Sequence, residues 1–339
     1  MSVTEQELKD YFLECIEKIE DSIDKNESRD FISPLLFYKT LNDTYQDEFK
    51  QALEDYGLEE IARDSDYHRL QLPEEYSWEE LIKQNKNLDS FLNQTFDALE
   101  KANPGKLQGI FNTDFVASDD LNDDTLKKLI QHLNTKKLSL EQVEPVKLGN
   151  AYMELVKKFS ILEDRDAGEF YTPQGITKIM IGLLAPFNDG DKFHDPTSGS
   201  GDMLIEAAKY YRSEQDGDPG KLTFTGQETI KEVPGMAKIN FFLNDLIGEI
   251  KEGDPLSKPQ FVTDGSLDKF DFVLTNFPFS NDWAKDDLDD PYNRFDWVDN
   301  KLPRRDRADY AYIMHMVKIL KEEDGKMVSV VPQGVLFRK

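Results

Sequence analysis

The sequence predicts an α/β protein in which a mostly parallel sheet, flanked by helices, follows an all-helical domain. Two patterns carry this reading. From residue 4 to about 140 the apolar residues recur at three and four, as in ELKDYFLECIEKIEDSI and LLFYKTLNDTYQDEFKQALEDY, the spacing that lines one face of a helix. Beyond about residue 150 short apolar runs alternate with helical stretches, which implies parallel strands joined by helical crossovers. Charge shifts there too: residues 1–150 hold 33 acids and 17 bases, residues 151–339 hold 34 and 24. The expected division is a helical domain over 1–149 and a sheet domain over 150–339.

Within the helical domain, Pro and Gly interrupt the pattern at LPEEYSW (72–78) and ANPGKLQGIFNTDF (102–115). SDDLNDDTLKKLIQHL (118–133) sets acids and cap-forming residues ahead of an amphipathic run, a helix start. The second domain should run strand DKFHDP, helix 200–212, strand KLTFTGQE, helix 231–246, strands EIKEGDP and FDFVLTN, helix 308–321 and strand KMVSVVP. Sheets of this kind bind ligands in the crevice outside the carboxyl ends of their strands. Four of those ends carry Asp195, Glu228, Asp254 and Asn276.

Composition excludes several classes. Sixty-seven Asp and Glu against 41 Lys and Arg give a formal charge of -26, too negative for a chain that holds nucleic acid unaided. Cys15 is the only cysteine, so neither an internal disulfide nor a cysteine zinc site is available, which suits a reducing cytoplasm. No run approaches the ~18 apolar residues of a membrane span. MSVTEQELKDYF lacks the apolar core of a signal peptide. The expectation is a soluble, cytoplasmic protein.

DPTSGSGDML (195–204) ends a strand on Asp195 and turns through Thr197, Ser198, Gly199, Ser200 and Gly201 into a helix. Glycines admit close backbone approach to a ligand, and a helix amino terminus favours an anionic group. A nicotinamide fold would place a third glycine where Leu204 stands, so a dehydrogenase is disfavoured; a glycine turn without a ligand is the plainer alternative. Glu228, ending TGQE, can accept both hydroxyls of a ribose, as an adenosyl cofactor requires. Asp254, in GDPL, can accept from an adenine amine or is one more surface acid.

FDFVLTNFPFS (270–280) ends its strand on Asn276, Phe277, Pro278 and Phe279. The Asn276 amide carbonyl and the backbone carbonyl of Phe277, which faces a proline that cannot donate, make a small cup of acceptors, and Pro278 fixes the local backbone. An exocyclic base amine is a poor nucleophile because its lone pair is delocalised into the ring. Two acceptors gripping its hydrogens favour a more tetrahedral nitrogen that can attack a methyl group. Phe279 would stack on the base, a contact worth about 1–3 kcal/mol, once the base has flipped from its duplex. The ring is then held for in-line displacement on a sulfonium. The plainer alternative makes Phe277 and Phe279 core aromatics. Methylating a cytosine ring carbon requires a thiolate, and Cys15 stands far from these motifs, so amine methylation is favoured.

GEFYTP (168–173), DPTSGSGDML, GQE, GDPL, TNFPF and DYAYIMHMVKILKEEDGKMVSVVPQGVLFR resemble the modification subunit of type I restriction-modification systems. The likeness continues through LLFYKTLNDTYQDEF, ALEKANPGKLQGIF and LGNAYMELVKKFS. It implies a Rossmann-like S-adenosylmethionine-dependent methyltransferase sheet behind a helical N-terminal domain, and adenine-N6 methylation of DNA. By the same resemblance, Phe170, Thr172 and Pro173 would line the cofactor pocket near its methionine end. Asp195, Thr197, Ser198, Gly199, Ser200 and Gly201 would form the adenosylmethionine loop, Glu228 would bind ribose, and Asp254 would lie near the cofactor or the target adenine. Asn276, Phe277, Pro278 and Phe279 would form the catalytic cup, with Asn276 an acceptor rather than a general base. The family's usual motif is Asn-Pro-Pro-aromatic; Phe277 holds the second place here, where the carbonyl needed is a backbone atom. The family continues beyond VLFRK, so a sheet truncated after its fifth strand is expected.

The resemblance also implies partners: double-stranded DNA, a specificity subunit, a restriction/translocase subunit, and two copies of this chain per specificity subunit. A negative chain suits that division of labour, with sequence reading assigned to another subunit. KLPRRDR (301–307) gathers Lys301, Arg304, Arg305 and Arg307 and is expected to reach DNA phosphates, or else to be a solvated loop pairing with Asp306 and Asp309. The helical domain would clamp DNA or contact a partner. Two other readings stay open: a methyltransferase acting on a protein glutamine amide, and a non-catalytic assembly module.

Overall fold

The computed structural model describes residues 3–23, 27–117, 121–162, 172–279, 281–283, 290–295, 303 and 306–337. The chain forms two compact units, residues 1–167 with Phe242–Asp245, and residues 168–241 with 246–339. This division falls later than 149/150. The helix Pro145–Leu162 packs against the first helix, burying Leu148, Ala151, Tyr152, Leu155 and Val156, and so stays with the helical unit.

In the first unit the helix Glu5–Ile19 opens with a reciprocal cap, Thr4 accepting from the Glu7 N–H and Glu7 accepting from the Thr4 N–H, which satisfies two otherwise unpaired donors. Leu8, Phe12, Cys15, Ile16 and Ile19 form its buried stripe. The long helix Ser28–Tyr56 contains Pro34. Proline cannot donate to the carbonyl four residues back, and the Thr113 hydroxyl takes that place on Asp30 O at 2.7 Å. Lys39 and Asp43 pair deep in this helix, and Asp43 also accepts the Leu138 N–H at 2.7 Å. The helix expected over 118–133 is Asp123–Leu133, started by Asn122, whose side chain accepts from Asp124 and Thr125. Phe242 lies edge-on to Phe37 at 5.0 Å, and Asp245 accepts from Arg69 at 2.7 Å.

The second unit is built on five parallel strands, β1 (Lys192–Asp195), β2 (Thr223–Glu228), β3 (Glu249–Glu252), β4 (Phe272–Thr275) and β5 (Lys326–Ser329), in the order β3-β2-β1-β4-β5. A two-stranded ribbon, 262–263 with 266–267, lies between β3 and β4 in sequence. The helices Gln174–Leu184, Asp202–Gln215, Val233–Leu243 and Asp309–Ile319 interleave with the strands. Successive β4 residues point to opposite faces. Phe272 and Leu274 join the apolar cluster of Met180, Ile181, Leu204 and Ala208, while Val273 joins that of Met316 and Ile319. Both faces of the sheet are therefore covered. No described helix is long and apolar enough to cross a membrane.

Phe193, on the central strand, is fully buried and stacks on Phe272 at 4.8 Å, with Phe187 at 4.9 Å and Phe224 at 5.5 Å. Truncating such a residue loses transfer energy and leaves a cavity. Phe193→Ala should destabilise the sheet unit by about 3–5 kcal/mol, read as a lower urea midpoint at unchanged slope.

Candidate active site

The strand order places a topological switch at β1: β2 and β3 extend to one side, β4 and β5 to the other. In sheets of this kind the ligand crevice lies where the connections diverge, which here is outside the carboxyl ends of β1 and β4. There Asp195 ends β1 and Thr275 ends β4, and the hydroxyls of Thr197 and Thr275 hydrogen-bond across the switch. The glycine turn and the Asn276 tetrapeptide thus lie on one edge of the sheet.

The turn after β1 is held by backbone and by glycine. Ser198 N–H donates to Gln227 O at 2.9 Å, and Gly199 N–H donates to Glu228 Oε2 at 3.0 Å. Gly199 and Gly201 have φ of 49° and 79°, a left-handed backbone that glycine adopts without penalty. A Cβ on Gly201 would also stand 2.8 Å from the Phe241 ring. Asn240 braces the turn from outside, its Nδ2 donating to Ser200 O and Asp202 Oδ1, each at 3.0 Å.

Asp195 is fully buried; its Oδ1 accepts from Thr197 N at 2.9 Å, whereas Oδ2 has no partner among the described residues. Burial pushes its carboxyl up to about 7, and the nearby Glu228 adds to the shift. Glu228 is raised too, chiefly by burial, while its Oε1 accepts from Ile230 N at 2.9 Å. The Thr229 N–H also bears on this carboxylate, which still leaves acceptor capacity for a ligand hydroxyl. Asp254 is engaged locally, Oδ1 accepting from Leu256 N at 2.9 Å and Oδ2 from the Ser257 hydroxyl at 2.8 Å.

At the end of β4, Asn276 Nδ2 donates to the Thr172 hydroxyl at 3.2 Å, and its Oδ1 is a buried acceptor without a partner among the described residues. Thr172 is buried, and Pro173 precedes the helix Gln174–Leu184. The Phe277 ring is buried and stacks on Tyr312 at 5.0 Å. Its side chain is thus a core aromatic, and only its backbone is available to the cup. Pro278 and Phe279 are exposed, with the Phe279 ring T-shaped against Phe277 at 6.0 Å. Phe170, Lys301, Arg304 and Arg305 lie outside the described residues; Arg307 is half-buried.

Taken together, this edge is rich in acceptors. Asp195 Oδ2 and Asn276 Oδ1, both buried and without a partner among the described residues, fit a ligand that brings N–H donors, because an unmatched buried acceptor is costly. Thr275, Gln227 and Asn240 were not foreseen as participants. Gln227 had a signal, its place beside Glu228 at a strand end.

A family model described as N-6 DNA Methylase matches residues 144–339, and one described as HsdM N-terminal domain matches residues 13–133. The chain is 25% identical over 286 residues to the type I restriction enzyme MjaIX methylase subunit of Methanocaldococcus jannaschii, covering 81% of this chain and 50% of that protein. It is 25% identical over 256 residues to the HindI methylase subunit of Haemophilus influenzae, covering 72% and 54%. The chain thus spans about half the length of these relatives. Its fold is that of the type I restriction-modification methyltransferase subunit from Streptococcus thermophilus (TM-score 0.81, 24% identity, 99% of this chain and 76% of that one). A modification subunit of a putative type I restriction enzyme from Vibrio vulnificus gives a TM-score of 0.68 at 18% identity, over 99% of this chain and 73% of that one.

The buried Asp195 carboxyl yields a pH signature. Folding holds its proton up to about pH 7, whereas an unfolded Asp releases it near ~3.9. The stability this proton contributes is fully present below the unfolded value and is lost as pH rises through the folded one. Asp195→Asn keeps an acceptor for Thr197 but cannot ionise. The thermal midpoint of the parent chain should therefore fall more steeply between pH 5 and pH 8 than that of the variant; parallel slopes would show that Asp195 titrates normally.

Proposed function

Since the chain belongs to the N-6 DNA methylase family, we propose that it is the methylating subunit of a type I restriction-modification complex, acting on the N6 amine of a flipped adenine. The observation that carries this reading is the pair of buried acceptors at adjoining strand ends, Asp195 Oδ2 and Asn276 Oδ1, neither of which has a partner within hydrogen-bond distance among the described residues. The two differ in chemistry as the two ligands would: an acid for a cationic cofactor, an amide for a neutral base.

S-adenosylmethionine, when bound, supplies an electrophilic methyl on sulfur. The residues around it bind and orient. Thr197, Ser198, Gly199, Ser200 and Gly201 would form its cradle, Asp195 would accept from its ammonium, Glu228 would accept from its ribose hydroxyls, and Asp254 would lie near its adenine. Thr172 fixes the Asn276 amide, whose Oδ1 accepts from the target amine together with the Phe277 carbonyl, so that the nitrogen lone pair is freed from the ring. Pro278 stiffens the turn, and the exposed Phe279 ring is available to stack on the base. Asn276 needs no titration for this role, since an amide accepts at any physiological pH. By the family resemblance, Phe170 and Pro173 would line the methionine end.

The partners follow the same reading: duplex DNA, a specificity subunit bound by two copies of this chain, and a restriction/translocase subunit. The helical unit would clamp DNA or seat the specificity subunit, and the sheet unit would carry the chemistry. The single buried cysteine suits a cytoplasmic setting. A protein-glutamine substrate is not favoured, because the matching family is one of DNA methylases.

Asn276→Ala, assembled with a specificity subunit on unmethylated duplex, should lower methyl transfer by about 10²–10³-fold, as loss of one positioned hydrogen-bonding group does elsewhere. Cofactor affinity by calorimetry should stay within about threefold, because only the amine grip is lost. Transfer at the parental rate would rule out the acceptor role. Reversing Arg304 and Arg305 to Glu should weaken DNA binding and flatten its dependence on salt; unchanged binding would remove these residues from the DNA face.

A further inference from the structure

Arg294 lies in the acid-rich stretch DDLDDPYNRFDW, where a solvated side chain is the ordinary expectation, yet it is completely buried. Its Nε donates to Asp290 Oδ1 at 2.6 Å, Nη1 to Pro255 O at 2.8 Å and His315 Nδ1 at 3.3 Å, and Nη2 to Leu256 O at 2.6 Å. Because arginine only donates, His315 Nδ1 must accept, so His315 is neutral with its proton on Nε2. Asp290 also accepts the Arg294 N–H at 2.6 Å.

The two carbonyls gripped by the guanidinium belong to the residues directly after Asp254. That turn is pinned on its other flank by Gln227, whose Nε2 donates to Lys258 O at 2.9 Å and whose Oε1 accepts from Gln260 N at 3.0 Å. Leu256, Phe277, Trp283 and Phe295 share one apolar cluster. The turn after β3, the tetrapeptide after β4 and the segment around Arg294 are thus packed together.

We propose that Arg294 is a positioning residue for cofactor binding: its forked donors fix the Pro255 and Leu256 carbonyls, and through them hold the Asp254 carboxylate in register for the adenosyl group while tying that turn to the segment behind the catalytic cup. This rests on the assignment of Asp254 to the cofactor. A lysine keeps the charge, but its donors diverge from one nitrogen and cannot span two carbonyls and a carboxylate.

The test is a double-mutant cycle read as S-adenosylmethionine affinity by calorimetry on the whole chain. Arg294→Lys should weaken binding about tenfold when Asp254 is present and less than about threefold in an Asp254→Asn background, because the effect travels through that carboxylate. Asp290→Asn, which removes the ion pair but leaves the fork an acceptor, should change affinity by less than about twofold. Should Arg294→Lys fail to fold, hydrogen exchange on the parent chain decides: saturating cofactor should protect amides in 255–258 and in 290–295 together. Equal losses in both backgrounds, a loss in Asp290→Asn matching that in Arg294→Lys, or protection confined to 255–258 overturns the proposal. Unchanged affinity in Asp254→Asn alone overturns instead the cofactor role on which it rests.

Discussion

Gly226 sets how closely the end of β1 can lie against β2. A Cβ there would stand 2.7 Å from Ser198 Cβ and 2.8 Å from Ile250 Cδ1, distances no real side chain tolerates. Because the position is bare, the turn after β1 settles directly on the neighbouring strand, and the Ser198 and Gly199 N–H groups reach Gln227 and Glu228. That seating directs the Glu228 carboxylate toward the turn, shields Asp195, and brings Thr197 within reach of Thr275 on the far side of the switch. The close seating of the turn on β2 is a consequence of one missing methyl group.

The same seating puts two carboxyl groups in a poorly hydrated place, and both hold their protons more tightly than ordinary acids. A sheet whose central strand carries Phe193 stacked among three other aromatics has the cohesion to hold them there. A positively charged ligand relieves the cost of burial, and the relief appears as stabilisation of the folded chain by mass action. Site and scaffold are thus coupled: the carboxyl groups that are costly to bury are those a cationic ligand would pair with.

All five strands lie where the apolar runs predict them, since each run is bounded by Gly, Pro or Asp and is too short for a helix. Helix ends moved by a few residues. The helix expected to start at 200 starts at Asp202, because Gly201 is left-handed, and it runs on to Gln215. Asp195, Glu228 and Asn276 could be picked out because a parallel sheet makes the ends of its strands special. Arg294 could not, because an arginine among aspartates is ordinarily a surface ion pair and only tertiary packing makes it a buried fork. The Thr172–Asn276 bond joins residues 104 positions apart, a proximity that no local pattern encodes. The helix Pro145–Leu162 sits with the helical unit because of the partner its apolar face finds, information that periodicity lacks.

Phe277 stacked on Tyr312 replaces ring stiffness with anchorage. Where a second proline would restrain the tetrapeptide by its own torsion, this chain moors it to the helix Asp309–Ile319 through an aromatic contact. The geometry of the motif is therefore held by a distant element, and loosening the Phe277–Tyr312 contact would loosen the tetrapeptide with it.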